Sequence, residues 1–97
     1  MTEKFRNIVQ SWYDKVNPLR INNKSHIVDY ITDDLSIYDL GVDSMDEMEL
    51  IMDIEVAYNI TISDNDINEQ KIRTMSFKEL CDWVENKHKG FYNKIID

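Results

Sequence analysis

The sequence predicts an all-α domain, a small bundle of four helices with a long connection between the first two and a short third helix. Three observations carry this. Two Gly and one Pro in 97 residues leave few enforced turns, which suits long helices better than a many-stranded sandwich. Apolar residues recur at steps of three and four in segments starting near Phe5, Met48 and Phe77, the spacing of a helical face. Hydrophobic residues make up 42% of the chain, enough for a core and too many for global disorder. A chain of this size reads as one domain, residues 1–97 with a core over roughly 3–88, and has little room for an enclosed active site of its own.

Phe5, Ile8, Val9, Trp12, Tyr13 and Val16 form the inward face of the first helix. Asn17 and Pro18 close it, because a residue before proline avoids helical backbone. Residues 18–42 read as largely irregular, with Leu19, Ile21, Ile27, Val28, Ile31, Leu35, Ile37 and Leu40 pinning the connection to the core. This exceeds the usual helix-to-helix length, and a short extra helix around His26 to Ile31 would relieve it. His26 has no second His or Cys at ligand spacing, so a surface or capping role is expected of it rather than metal binding.

The second helix is expected to start at Ser44, which forms a capping box with Glu47. It runs for about fifteen residues, about 22 Å, and ends near Asn59, before the β-branched run Ile60-Thr61-Ile62. Met48, Ile51, Met52 and Ala57 or Tyr58 are expected to point inward, with Met45, Ile54 and Val56 widening that face. Ser63 with Asp66 reads as the cap of a third helix reaching Gln70. Ser76 with Glu79 reads as the cap of a fourth, which carries Phe77, Leu80, Cys81 and Val84 inward and leaves Trp83 at its margin. Gly90 reads as the stop of that helix; beyond it, Phe91, Tyr92, Ile95 and Ile96 either dock on the body or stay loose.

The formal net charge is -8, and its distribution is uneven. From Ser25 to Gln70 there is no Lys or Arg, while thirteen of the nineteen acidic residues fall there. Such a surface suits neither nucleic acid nor an anionic membrane, and it suits a basic patch on another protein. The plainer reading is that the charge keeps a small protein soluble. Cys81 is alone, so no internal disulfide forms, and its apolar flanks read as those of a buried, inert thiol. The opening MTEKFRNIVQSWYDKV is charged and periodic, unlike a secretory or transmembrane segment, so a cytoplasmic location is expected. The sequons Asn23-Lys24-Ser25 and Asn59-Ile60-Thr61 then carry no weight.

The stretch DLGVDSMDEMELIMDIE, starting at Asp39, is a turn, a serine and a helix with an acidic first turn. Gly41 supplies backbone freedom just ahead of the helix. Asp43 and Asp46 bracket Ser44 with negative charge, which favours the helix dipole but is hostile to a triad nucleophile. Only two histidines, His26 and His88, could activate one. Taken alone, Ser44 reads as a helix cap. DNDINEQKIRTM, starting at Asp64, has side chains of calcium-loop type at its first, third and fifth positions. It places Glu69 where such a loop needs glycine and ends in Met75 rather than Glu, so no metal site is expected. No Gly-rich phosphate loop, zinc-type Cys pair or aromatic-basic interleaving occurs. The carboxylates read as solvated helix faces rather than a converging pair, and no enzyme is expected.

Taken whole, the stretch from Ile31-Thr32 through DLGVDSMDEMELIMDIEVAYNITISDND to the fourth helix near Val84 resembles the acyl carrier proteins. That family's Asp-Leu-Gly-x-Asp-Ser-Leu, followed by Asp, Glu-Leu and a later Glu, is matched in register by Asp39, Leu40, Gly41, Asp43, Ser44, Asp46, Glu49, Leu50 and Glu55. Ile62, Asp64, Ile72 and Thr74 match in kind, and the first helix agrees in pattern. The resemblance implies a bundle of the acyl-carrier type with Ser44, beside Asp43, as the attachment point of 4'-phosphopantetheine. A phosphopantetheinyl transferase would donate the arm from coenzyme A. The carrier itself would do no chemistry: it would hold acyl intermediates as thioesters and deliver them to acyl-loading, condensing or acyl-transfer enzymes of fatty-acid or specialised acyl and polyketide biosynthesis. The second helix would be the docking surface, with Asp43, Asp46, Glu49 and Glu55 facing basic patches on partners and Glu47 as a local addition. Met45, Met48, Ile51, Met52, Ile54, Ile62, Ile67 and Ile72 would wall an acyl pocket. A monomer without nucleic-acid partner or membrane insertion is implied.

Departures from the family pattern refine this. Met45 stands for the usual Leu, Asp53 stands where a small residue is common, and Val56 stands where many members carry a second Glu. The first connection is long, a small insertion lies between Asp64 and Thr74, and the tail at 89–97 is atypical. These features point away from a housekeeping fatty-acid role more than from the carrier role. The single glycine before Val42 favours acyl over aminoacyl cargo. A second reading keeps the fold without the modification, as an acidic protein-interaction module.

Overall fold

The computed structural model describes residues 1–16 and 30–96, with side chains as far as Lys89. Four α-helices are present among them: α1 (Glu3–Val16), α2 (Ser44–Tyr58), α3 (Glu69–Thr74) and α4 (Phe77–Ile96), with a 3-10 turn at Tyr38–Leu40 ahead of α2. This is the all-α bundle expected, with its long first connection and short third helix. The expected stop at Asn17-Pro18, the anchors Leu19, Ile21, Ile27 and Val28, and most of the extra helix at His26 lie outside the described residues. Tyr30 and Ile31 are not helical.

α1 buries Phe5, Val9, Trp12, Tyr13 and Val16, the face its periodicity predicts, and the Thr2 hydroxyl caps it by accepting from the Phe5 amide at 3.2 Å. One core joins that face to Leu50, Ile54 and Tyr58 of α2 and to Phe77, Leu80, Cys81 and Val84 of α4. Ile31, Ile37 and Leu40 anchor the end of the first connection in the same core. That end is also tied to α4. The carbonyls of Leu35 and Asp33 accept from the Phe77 and Lys78 amides at 2.7 and 3.1 Å, donors that a helix leaves unpaired in its first turn. The capping box completes the job: Ser76 Oγ accepts from the Glu79 amide at 3.1 Å and Glu79 Oε1 from the Ser76 amide at 3.3 Å. Gly90 does not stop α4, which continues to Ile96. A single glycine costs a helix only about 1 kcal/mol, and no proline follows it.

Two local expectations are corrected by competing caps. The N-cap of α2 is Asp43, not Ser44: the Asp43 carboxylate accepts from the Asp46 amide at 2.9 Å from extended backbone. Ser44 is thereby the first helical residue. Ser63 and Asp66 do bond, at 3.0 Å between hydroxyl and carboxylate, but they close a turn. α3 begins later, capped by Asn68, whose Oδ1 accepts from the Lys71 amide at 2.7 Å.

The inward face of α2 is also corrected. Glu47, Leu50, Ile54 and Tyr58 are buried, whereas Met45, Met48, Met52, Val56 and Ala57 are exposed and Ile51 is half-buried. Apolar residues surround most of this helix, so their spacing does not select a face. The choice falls to the row at 47, 50, 54 and 58, which keeps helical periodicity and meets α1. Asn59 ends the helix as expected, in left-handed backbone with φ of 54°, its amide donating to the Glu55 and Val56 carbonyls.

Candidate functional site

The turn ahead of α2 is built by short-range bonds. Ser36 and Asp39 exchange two of them, Asp39 Oδ2 accepting from the Ser36 amide at 2.9 Å and Ser36 Oγ from the Asp39 amide at 3.3 Å. Leu40 is buried as the anchor. Gly41 then reverses the chain at φ of 67°, its amide donating to the Tyr38 carbonyl at 3.2 Å. A residue with a Cβ pays to hold that backbone, and glycine does not. Val42 and Asp43 lead into α2, where Ser44 stands exposed at the first helical position.

A cavity of about 260 Å³ opens beside Ser44. Ser44, Glu47, Met48 and Ile51 line it from α2; Ile62, Ser63, Asp64 and Ile67 from the following loop; Glu69 and Ile72 from α3. Five of the eight expected pocket residues are therefore brought together: Met48, Ile51, Ile62, Ile67 and Ile72. The other three are not. Met45, at 79% exposure, and Met52 point to solvent, while Ile54 is in the core. A wider depression of about 620 Å³ lies between the loop at 64–68 and α4, but Ser44 takes no part in it and its rim is polar.

The acidic candidates divide into different jobs. Glu47 is 3% exposed, which removes it from the docking surface. Its Oε2 accepts from Arg73 Nε and Nη2 at 3.2 and 2.9 Å, and this bonding holds the Arg73 guanidinium above its already high pKa. Arg73 also reaches Glu69 at 3.1 Å, so the contact ties α2 to α3. Half-buried Glu55 accepts from the Ile62 amide at 2.8 Å and pins the chain that leaves α2. Glu49 is exposed and Asp53 half-exposed, and Lys15 of α1 lies across both, at 3.3 and 3.2 Å. Their hydrogen bonds, Asp53's first, raise the Lys15 pKa. Asp43 is exposed and Asp46 half-exposed beside Ser44.

Sequence reasoning missed Lys15 and Arg73 as members of this region. The partners of Lys15 lie 34 and 38 positions away and the α2 partner of Arg73 lies 26 away; only Glu69, four residues before Arg73, is a local partner. Among the described residues, no group of three or more His, Cys, Asp or Glu is placed to hold a metal ion. No helix among them is long and apolar enough to cross a membrane.

Residues 4–84 match the family described as "Phosphopantetheine attachment site". Over 52 residues the chain is 42% identical to a protein named "Acyl carrier protein" from Buchnera aphidicola subsp. Acyrthosiphon pisum (strain 5A). That alignment takes in 54% of this chain and 60% of the relative's length. No solved structure matches the chain.

Proposed function

The chain belongs to the phosphopantetheine attachment-site family, and we propose from that premise that Ser44 carries the arm and that the protein is a non-catalytic acyl carrier. One observation carries the reading. Ser44 is exposed at the head of α2, on the rim of a largely apolar cavity and inside the matched residues. The site fits the group. A phosphodiester on Ser44 would meet a helix N-terminus, whose dipole favours an anion and offsets the neighbouring Asp43 and Asp46 charges. Because Asp43 does the capping, modification of the Ser44 hydroxyl leaves the helix start intact. When attached, the arm supplies a terminal thiol that holds an acyl group as a thioester.

The chain's own residues do the rest. The turn from Ser36 to Gly41 and the Asp43 cap hold the Ser44 hydroxyl out for a transferase. Met48, Ile51, Ile62, Ile67 and Ile72 shelter part of an acyl chain, each buried methylene contributing about 0.8 kcal/mol, and Met48 shifts rotamer at low cost to admit it. Asp43, Asp46, Glu49 and Asp53 offer a surface that steers a basic partner into encounter yet releases it quickly. A phosphopantetheinyl transferase and acyl-loading, condensing or acyl-transfer enzymes are the partners this reading names. They would belong to fatty-acid or specialised acyl biosynthesis in the cytoplasm, served by a single carrier domain. Transfer of the arm from coenzyme A, followed by intact mass, tests the reading.

A further inference from the structure

Glu47 lines the cavity one helical turn from Ser44 and is almost wholly buried. Residues three apart share a helix face, so a group leaving Ser44 for the cavity passes Glu47. Its carboxylate is satisfied on one side only. Both Arg73 donors converge on Oε2, at 3.2 and 2.9 Å, while buried Oε1 has no hydrogen-bond partner. A buried acceptor without a partner bears its full desolvation cost, and native structures keep few of them. The walls offer little relief. Met48, Ile51, Ile62, Ile67 and Ile72 have no side-chain donor, and the Ser63 hydroxyl is spent on Asp66 at 3.0 Å.

We propose that Glu47 is a specificity-determining acceptor, and that the cavity prefers acyl chains bearing a hydroxyl over saturated chains of equal length. This rests on the reading that Ser44 carries the arm. A saturated chain packed against Glu47 leaves Oε1 as it is, buried and without a partner. A hydroxyl returns a charge-assisted hydrogen bond, the stronger kind. The amide N–H groups of the arm share this donor chemistry, so the arm without cargo must be measured beside the loaded forms.

The protein is loaded on Ser44 with the bare arm, with octanoyl, and with 2-, 3- and 8-hydroxyoctanoyl groups, and each product is verified by intact mass. Melting temperature and thioester hydrolysis rate are then compared. One hydroxylated form is expected to melt above the octanoyl form and to hydrolyse roughly fivefold more slowly, the factor of one net hydrogen bond. The Glu47 carboxyl carbon resonance should shift with that cargo and not with octanoyl. Glu47→Gln gives the sharper test. Arg73 donates twice to one oxygen, so the new amide keeps its oxygen there and puts its NH2 where Oε1 was. The preference should then pass from the hydroxyl to the oxo group at the same carbon. Three results would overturn the proposal: hydroxylated forms no better than octanoyl, a bare arm that already melts as high, or an unmoved Glu47 resonance. Absence of any mass gain would instead strike the reading of Ser44.

Discussion

The indole N–H of Trp12 donates to the main-chain carbonyl of Asp46 at 2.7 Å, joining the buried face of α1 to the first turn of α2 two residues beyond Ser44. Trp12 is fully buried, so this bond fixes the head of α2 against the core. Trp12→Phe removes the donor and leaves part of the ring volume empty. It should destabilise the fold by roughly 2 kcal/mol, a lost buried hydrogen bond plus a small cavity. Urea unfolding checks this, and a change below roughly 0.5 kcal/mol would mean that the bond carries no net weight.

Lys15 spans Glu49 and Asp53 on the exposed side of the same helix pair. Exposed ion pairs add little stability, but this one neutralises part of the acidic face. Lys15→Gln should leave the melting temperature nearly unchanged and raise the rate of arm transfer severalfold at low ionic strength. Asp46→Lys and Glu49→Lys should lower that rate, and all three effects should shrink as salt screens the attraction. Initial rates across a salt series decide it. Equal rates for all four proteins at low salt would locate recognition elsewhere.

Acid should reach the fold partly through Asp66. Lys87 first, at 3.1 Å, and then the Ser63 amide and hydroxyl hold its carboxyl below the usual carboxylate range. A carboxyl depressed in the folded state contributes stability that is complete above its unfolded pKa of about 3.9. That contribution is lost as pH falls through the lower folded value. Asp66→Asn should therefore be less stable than the wild type near neutrality, with the gap closing below about pH 4. Urea midpoints over that range measure the gap; a gap that stays constant would exclude the carboxylate as its source.

Elements governed by their own neighbours were readable in the sequence. The α1 stripe, the Ser76–Glu79 capping box and the Asn59 terminus each depend on residues within a turn or two. Choices between rivals were not. Asp43 and Ser44 are both good caps, and the backbone that emerges from Gly41 gives the role to Asp43. Ser63 and Asn68 compete in the same way ahead of α3, and the later one wins. The face of α2 was hidden because apolar side chains surround the helix, and the buried row includes Glu47, which only its distant partner Arg73 makes tolerable. For the same reason the cavity was half legible. Its loop and α3 members, Ile62, Ile67 and Ile72, follow from the family resemblance, whereas its α2 members depend on a rotation that no local pattern specifies.

Attachment at Ser44 is tested most directly by comparing the wild type with Ser44→Ala after incubation with coenzyme A and a promiscuous phosphopantetheinyl transferase. Asp43 caps α2, so the alanine variant should keep its helical content by circular dichroism. The wild type should gain the mass of one arm, mapped to the peptide that contains Ser44, and the variant should gain none. A wild type that gains no mass, or a folded variant modified at Ser36, Ser63 or any other residue, would contradict the assignment.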